Sequence, residues 1–426
     1  MISVLMIAVL LILFVIHVPI AFALGIASLL VLFLVDEIPL LVLPQRMFTG
    51  TDSFTLISIP FFLLAGSLME KGGVSEKLIQ FAQSLVGHIK GGIGMISVIS
   101  SMFFAGISGS AIADTAAIGR ITIPAMIQRG YHKSYATAIQ ASAGALGIII
   151  PPSIVMILFS VVSGASVGQL FLGGVVPGIL IGLVLMIIGY IIALKRNYPT
   201  EERSDVRSVM ANLLHSFPAL LMPVIILGGI MLGVVTPTES AVVAVVYGLL
   251  LGFFVYKQLK PSDLPQILYE VVLTSAMIMF IVANASIFAW VITSQQFPQD
   301  LGALLSNVST DPLFILLIFI AVFLVVGTFL DTSAALIIIT PVLIPIAQAA
   351  NIDMVHFGVI TVMTLAIGLA TPPVGLNLFV ASGIANSGIV EASKGLLPFL
   401  IGMIAIVILL ALFPSLVTFL PSMLMK

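Results

Sequence analysis

The sequence has no cysteine in its 426 residues, which excludes disulfides, thiolate metal sites and a cysteine nucleophile. Charge is scarce too. Asp, Glu, Lys and Arg make up 8% of the chain, against roughly a quarter in a soluble domain. A soluble fold of this length cannot cover its surface with so few charges, so the composition specifies a membrane protein with several spans. Basic residues form no patch and the net charge is −2, which argues against nucleic acid as a partner. The five histidines lack metal-ligand spacing. No basic segment precedes the first apolar run, which continues past His17 and Pro19. Two tightly joined helices are expected there, not a cleaved signal peptide.

What the chain has is apolar length: 61% of it is hydrophobic. A membrane helix needs about 20 apolar residues. Candidate spans are 2–16, 19–35, 54–69, 136–150 running on through Pro151, 171–194, 217–235, 240–256, 268–292, 313–330, 357–370 running on through Pro372, and 396–420. Residues 91–126 and 313–346 are apolar but interrupted, each by an Asp-Thr pair, Asp114-Thr115 and Asp331-Thr332. The long polar segment KRNYPTEERSDVRS, 195–208, carries Lys195, Arg196, Arg203 and Arg207. The positive-inside rule makes it cytoplasmic, and it is expected to be a plain linker between two halves.

Those halves resemble each other. Pro151-Pro152 recurs 221 positions later as Pro372-Pro373; at the same offset Gly147 matches Gly368, Pro124 matches Pro345 and Pro177 matches Pro398. A four-residue slip is expected to pair Asp114-Thr115-Ala116 with Asp331-Thr332-Ser333. This is an internal duplication. The first copy carries Lys71, Lys77, Lys90, Arg129 and Lys133, whereas no Lys or Arg lies between Lys260 and Lys394. Equivalent loops are therefore expected on opposite sides of the membrane, as in an inverted repeat.

The proline pairs break their helices, because proline lacks an N–H and pushes the preceding residue out of the helical region. Carbonyls around Gly144 to Ile148, and around Ala366 to Leu369, are expected to be left free, which is costly in a membrane unless they bind something. An alkali cation suits them. The stretch GISGSAIAD, 106–114, supplies Gly106 and Gly109 for a reversal and the hydroxyls of Ser108 and Ser110. It reads as the tip of a helical hairpin that enters part-way into the bilayer, with Gly327-Thr328 as the second-half counterpart. Each tip is expected to meet the broken helix of its own half, giving two related cation sites. Helices restarting near Ser153 and Val374 would point their N-termini at an anionic substrate, with Asn377 donating to its carboxylate. Asp114 and Asp331 read as helix caps ahead of cation ligands, and Glu239 as another cap. Arg120 has Asp114 or a substrate carboxylate as possible partners, with an interfacial role favoured. Trp290 reads as an interfacial anchor.

Ser108 lies in a G-x-S-G pattern, so an intramembrane serine protease is an alternative. It would need a general base, for which His215 and His356 are the apolar-flanked candidates. The second half reads GTFLD, with no serine beside its glycine. Oxygen ligands on a glycine turn account for both halves; a nucleophile accounts for one.

The segments FFAGISGSAIADTAAIG, IPAMIQRGYHKSYATA, GIIIPPSI, GTFLDTSAALIIITPVLIPIA and GLATPPVGLNLFV resemble the large membrane subunit of TRAP transporters, the DctM or SiaM type, over nearly the whole chain. The resemblance implies an all-α polytopic protein of the bacterial inner membrane, an inverted-repeat elevator with two re-entrant hairpins and two broken helices. It implies no cofactor, sodium as coupling ion, and import of an organic acid such as sialic acid or a C4-dicarboxylate. It also implies a small membrane subunit of the DctQ or SiaQ type and a periplasmic binding protein of the DctP or SiaP type. The small subunit is expected as a separate chain. Carried over by position, sodium falls on Ser108, Gly109 and Ser110 with Gly144, Gly147 and Pro151, and on Gly327, Thr328, Asp331 and Thr332 with Gly368 and Thr371. Substrate falls on Ser110, Pro152, Ser153, Pro373 and Asn377. The transport domain would comprise 91–168 and 311–390. Residues 1–90, 169–310 (with the loop 195–212) and 391–426 would form the scaffold. A stand-alone carrier of the same superfamily, a dicarboxylate or arsenite exporter, is the other alternative.

Overall fold

In lipid, a chain segment must satisfy its own backbone hydrogen bonds, so long apolar runs fold as helices. The computed structural model describes residues 2–34 and 39–425; the expected span 19–35 therefore ends on a residue outside the described ones, as does Lys426. Among the described residues there are twenty α-helices and no strand.

The first half contains α1 (Ile2–Val15), α2 (Ile20–Leu34), α3 (Val42–Thr51), α4 (Ser58–Lys71), α5 (Val74–Val86), α6 (Gly92–Ser108), α7 (Ala111–Gln128), α8 (Lys133–Gly144), α9 (Ile154–Ser163) and α10 (Val167–Arg196). After it come α11 (Val206–Met231), α12 (Pro237–Leu250), α13 (Leu264–Ser294), α14 (Phe297–Ser306), α15 (Pro312–Gly327), α16 (Thr332–Ala349), α17 (Met354–Ala370), α18 (Leu376–Ala385), α19 (Ile389–Leu412) and α20 (Ser415–Leu424). Seven helical segments, among them α10, α11, α13 and α19, are long and apolar enough to cross a membrane.

The interrupted segments hold the centre. Every residue of α17 from Val355 to Ala370 is buried, as is α8 from Tyr135 to Gly144. The best apolar window of α11 is only 28% buried, so this helix turns most of its surface outward. A helix buried on every side belongs to a core, and packing gives α17 that place while α11 leaves most of its surface uncovered.

Three features differ from the sequence reading. Span 396–420 is two helices, broken at Phe413-Pro414, because proline removes a backbone donor. The helix α3 was not anticipated; it lies on the surface with no buried residue, and its Arg46 guanidinium stacks 5.1 Å over the ring of Trp290. Nor is the segment between α10 and α11 a plain linker. Tyr198 is 5% exposed and stacks on Tyr131 at 4.1 Å. The Glu201 carboxylate takes Arg129 at 2.7 Å and Gln83 at 2.8 Å. Burial pushes the Tyr131 hydroxyl up to about 12, so it stays a donor at neutral pH, to the carbonyl of Pro199.

Candidate ion and substrate site

The chain reverses between α6 and α7 at Gly109, whose φ of +61° only glycine adopts freely. Ser110 then caps α7, its hydroxyl accepting from the N–H of Ala113 at 3.4 Å. The Ser108 hydroxyl donates to the carbonyl of Ser110 at 3.4 Å and accepts its N–H at 3.3 Å. Neither candidate base takes part: His215 Nδ1 bonds the carbonyl of Ala211, and His356 Nε2 that of Leu410. The Ser108 hydroxyl is thus spent on shaping a turn.

Across from this tip, α8 gives way to a short tight turn, Ala145–Ile148, and then to Pro151-Pro152. The two elements touch backbone to backbone. A methyl group on Gly147 would lie 2.6 Å from the Ser110 carbonyl oxygen, and one on Gly109 would lie 3.0 Å from that of Pro152. In the second half, a methyl on Gly368 would lie 2.6 Å from the carbonyl carbon of Gly327. Both proline pairs are cis.

Helix boundaries fix the correspondence between halves. The helix α16 begins and ends 221 positions after α7 (332 − 111 and 349 − 128), and α17 begins 221 after α8 (354 − 133). Ser110 and Asp331 are then the equivalent residues, each capping its helix; Asp331 accepts from the N–H of Ser333 at 2.9 Å. The expected slip pairing Asp114 with Asp331 is therefore corrected. Asp114 lies one turn inside α7, where every backbone N–H already has a helical partner, and it caps nothing. Its second-half equivalent is Ala335. Arg120 pairs with Glu70 at 3.9 Å, not with Asp114. Glu239 forms a capping box with Thr236.

The carbonyls at the breaks are less free than expected. Ser153, the cap of α9, donates its hydroxyl to the Ile148 carbonyl at 2.6 Å. Thr371 donates its N–H to Gly368 and its hydroxyl to Ile367, and Thr328 donates its hydroxyl to Val325. Each carbonyl keeps a second lone pair, so the oxygen set still suits a hard monovalent cation.

A cavity of about 390 Å³ separates the two tips, lined by Ser110, Asp331, Thr332 and Ser333 together with Ile148 and Ile154. A second, of about 550 Å³, shares Ser110 and Thr274 with it and adds Glu70, Arg120 and Glu270. Of the expected substrate contacts, Ser110 lines both cavities, while Pro152, Ser153, Pro373 and Asn377 line neither. Asn377 is fully buried and donates to the carbonyl of Ala141 at 3.3 Å. Thr332 and Ser333 were missed as cavity residues on the substrate side. Their position one and two places after a cap was the signal.

Two breaks, two reversing tips and seven helical segments long and apolar enough to cross a membrane define a helical membrane transporter. The fold is that of two solved transporters: YdaH of Alcanivorax borkumensis (TM-score 0.62, 15% identity, 87% of this chain and 88% of that one) and MtrF of Neisseria gonorrhoeae (TM-score 0.52, 14% identity, 88% and 85%). Residues 7–416 match the family model described as the tripartite ATP-independent periplasmic transporter, DctM component, and the chain belongs to that family. It is 40% identical over 400 residues to the C4-dicarboxylate TRAP transporter large permease protein DctM of Pseudomonas aeruginosa, covering 94% of each chain. It is 38% identical over 405 residues to the sialic acid large permease protein SiaM of Vibrio cholerae, covering 95% of each. The isethionate permease protein DctMQ of Oleidesulfovibrio alaskensis is 42% identical over 406 residues, 95% of this chain; the match spans 64% of that relative's length.

Proposed function

We propose that this permease subunit imports an organic acid into the cell by sodium symport, with two sodium ions held where each hairpin tip crosses its broken helix. The observation that carries the reading is the cavity between the tips. At about 390 Å³ it lies in the usual range for small-molecule sites. The α7 N-terminus opens on it through Ser110, Ala111 and Ile112, and free N–H groups at a helix start favour a carboxylate. The opposite wall, Asp331 with Thr332 and Ser333, offers oxygen acceptors and hydroxyls suited to substrate hydroxyl groups.

In this reading residues 91–168 and 311–390 move as one body against the remaining helices. The halves lie inverted in the bacterial inner membrane, with the Lys195–Asn212 side cytoplasmic. A small membrane subunit braces the scaffold, and a periplasmic binding protein delivers the substrate. The relatives' substrates, C4-dicarboxylate, sialic acid and isethionate, are all organic acids. No cofactor enters the cycle.

The test is uptake of radiolabelled dicarboxylates, sialic acid and isethionate into proteoliposomes under an inward sodium gradient. The chain is assayed alone, with a small subunit, and with small subunit and binding protein. Uptake only by the full set, abolished when potassium replaces sodium, supports the reading. Equal uptake by the chain alone would overturn the partner requirement, and uptake indifferent to sodium would overturn the coupling.

A further inference from the structure

Arg120 stands inside α7, well before the end of that helix at Gln128, with Ile118, Ile121 and Ile123 around it in sequence. A charge so far inside a membrane helix is costly and is kept where it faces a partner or an aqueous cavity. Arg120 faces both. Its side chain is 69% exposed, and it lines the cavity of about 550 Å³.

Three helices wall that cavity, each with one face. Ala113, Ala116 and Arg120 follow at helical spacing on α7, as Leu63, Ser67 and Glu70 do on α4. Thr274 and Glu270 face them from α13. Leu63, Ser110, Ile112 and Thr274 line the cavity between the tips as well, so the two spaces adjoin. Ser110 and Arg120 are ten residues apart, about 15 Å of helix. The route runs from the tips along α7 toward Arg129, whose partner Glu201 lies in the segment between α10 and α11. That segment is on the cytoplasmic side in the proposed orientation.

The carboxylates near Arg120 leave its guanidinium available. Glu70 lies 3.9 Å away, beyond hydrogen-bond length. It sits in the last turn of α4, where the helix dipole disfavours a negative charge. Both partners are partly exposed, so the pair holds weakly. Glu270 is engaged on its own helix, accepting from the Gln266 amide at 2.9 Å. Lys71, the other cation of this cavity, is a point charge. A guanidinium offers two parallel N–H groups to the oxygens of a carboxylate or a sulfonate.

We propose that Arg120 forms a second anion subsite on the exit side of the tips, which takes the carboxylate or sulfonate of the transported acid in exchange for Glu70. The leaving acid then meets a positive charge on α7 only after it has left the tip cavity, and Glu70 returns to Arg120 as the acid moves on. Such a subsite rests on the organic-acid reading and deepens it.

The test exploits the lack of cysteine in the chain. Ala116→Cys places a single thiol one turn before Arg120, and Ile281→Cys places one in the cavity between the tips. Each full chain, in detergent with sodium, is labelled with the neutral reagent N-ethylmaleimide, with and without succinate, sialic acid or isethionate. At least one of the three acids is expected to slow labelling at both positions. Arg120→Gln should raise the half-protecting concentration about tenfold for Ala116→Cys, the scale of a charge-assisted hydrogen bond, and change it less than about twofold for Ile281→Cys. Arg120→Lys should recover part of that loss, since it keeps the charge without the fork. Protection confined to Ile281→Cys, or protection of Ala116→Cys unchanged by Arg120→Gln, overturns the subsite and leaves the transport reading standing. No protection at either position by any of the three acids overturns the organic-acid reading itself. Should Arg120→Gln fail to fold, Glu70→Gln decides. Removing the competing carboxylate should lower the half-protecting concentration for Ala116→Cys about threefold, and no change overturns the subsite.

Discussion

Gly147 passes so close to Ser110 that a methyl group on it would sit 2.6 Å from the Ser110 carbonyl oxygen. The hairpin tip and the broken helix meet here backbone to backbone, with the Asp114 side chain beside the contact. Gly147→Ala is therefore expected to push the two apart at a cost of about 1–3 kcal/mol. A lowered thermal midpoint in detergent, together with lost uptake, would bear this out; an unchanged midpoint would mean the tip yields freely.

Ser108 gives both its donor and its acceptor to the backbone of Ser110. Ser108→Ala should loosen that turn and raise the sodium concentration needed for half-maximal uptake, and Thr371→Ala should do so in the other half. Unchanged sodium activation in both variants would remove these residues from the ion sites. A fluorophosphonate probe should leave Ser108 unlabelled, since no histidine bonds it.

Asp331 caps α16 through one 2.9 Å hydrogen bond. Loss of such a cap costs about 1 kcal/mol, and asparagine caps as well as aspartate. Asp331→Ala should lower the thermal midpoint while Asp331→Asn does not. Reduced uptake by Asp331→Asn at unchanged stability would then report on the cavity wall and not on the helix.

Tyr198 anchors the segment between α10 and α11 on the turn joining α7 to α8. Tyr198→Ala removes a buried stacked ring and should cost about 3 kcal/mol. Glu201→Gln breaks an ion pair whose arginine is 47% exposed, so its effect on stability should stay below about 1 kcal/mol. Thermal midpoints of the two variants distinguish a packing anchor from an electrostatic one; equal losses would contradict this division.

The sequence by itself determined the membrane class, because 8% charge over this length admits no other, and it located the two breaks, because paired prolines cannot continue a helix. It also located the first reversing tip, at Gly109, although Gly106 stays inside α6 and only Gly109 takes the left-handed backbone of the turn. Tertiary structure decided what each polar residue is used for. Asp114-Thr115 and Asp331-Thr332 read alike on paper, yet one helical turn separates their positions. An N-cap depends on where the backbone enters the helix, and the reversal at Gly109 makes Ser110 the cap, which leaves Asp114 one turn inside α7 and buried. Asn377 likewise looked free to meet a substrate until the packing of α18 on α8 turned its amide to Ala141. Which way a side chain points on an apolar helix is fixed by the neighbours it packs against, and those include helices distant in sequence, as α18 packs on both α7 and α8.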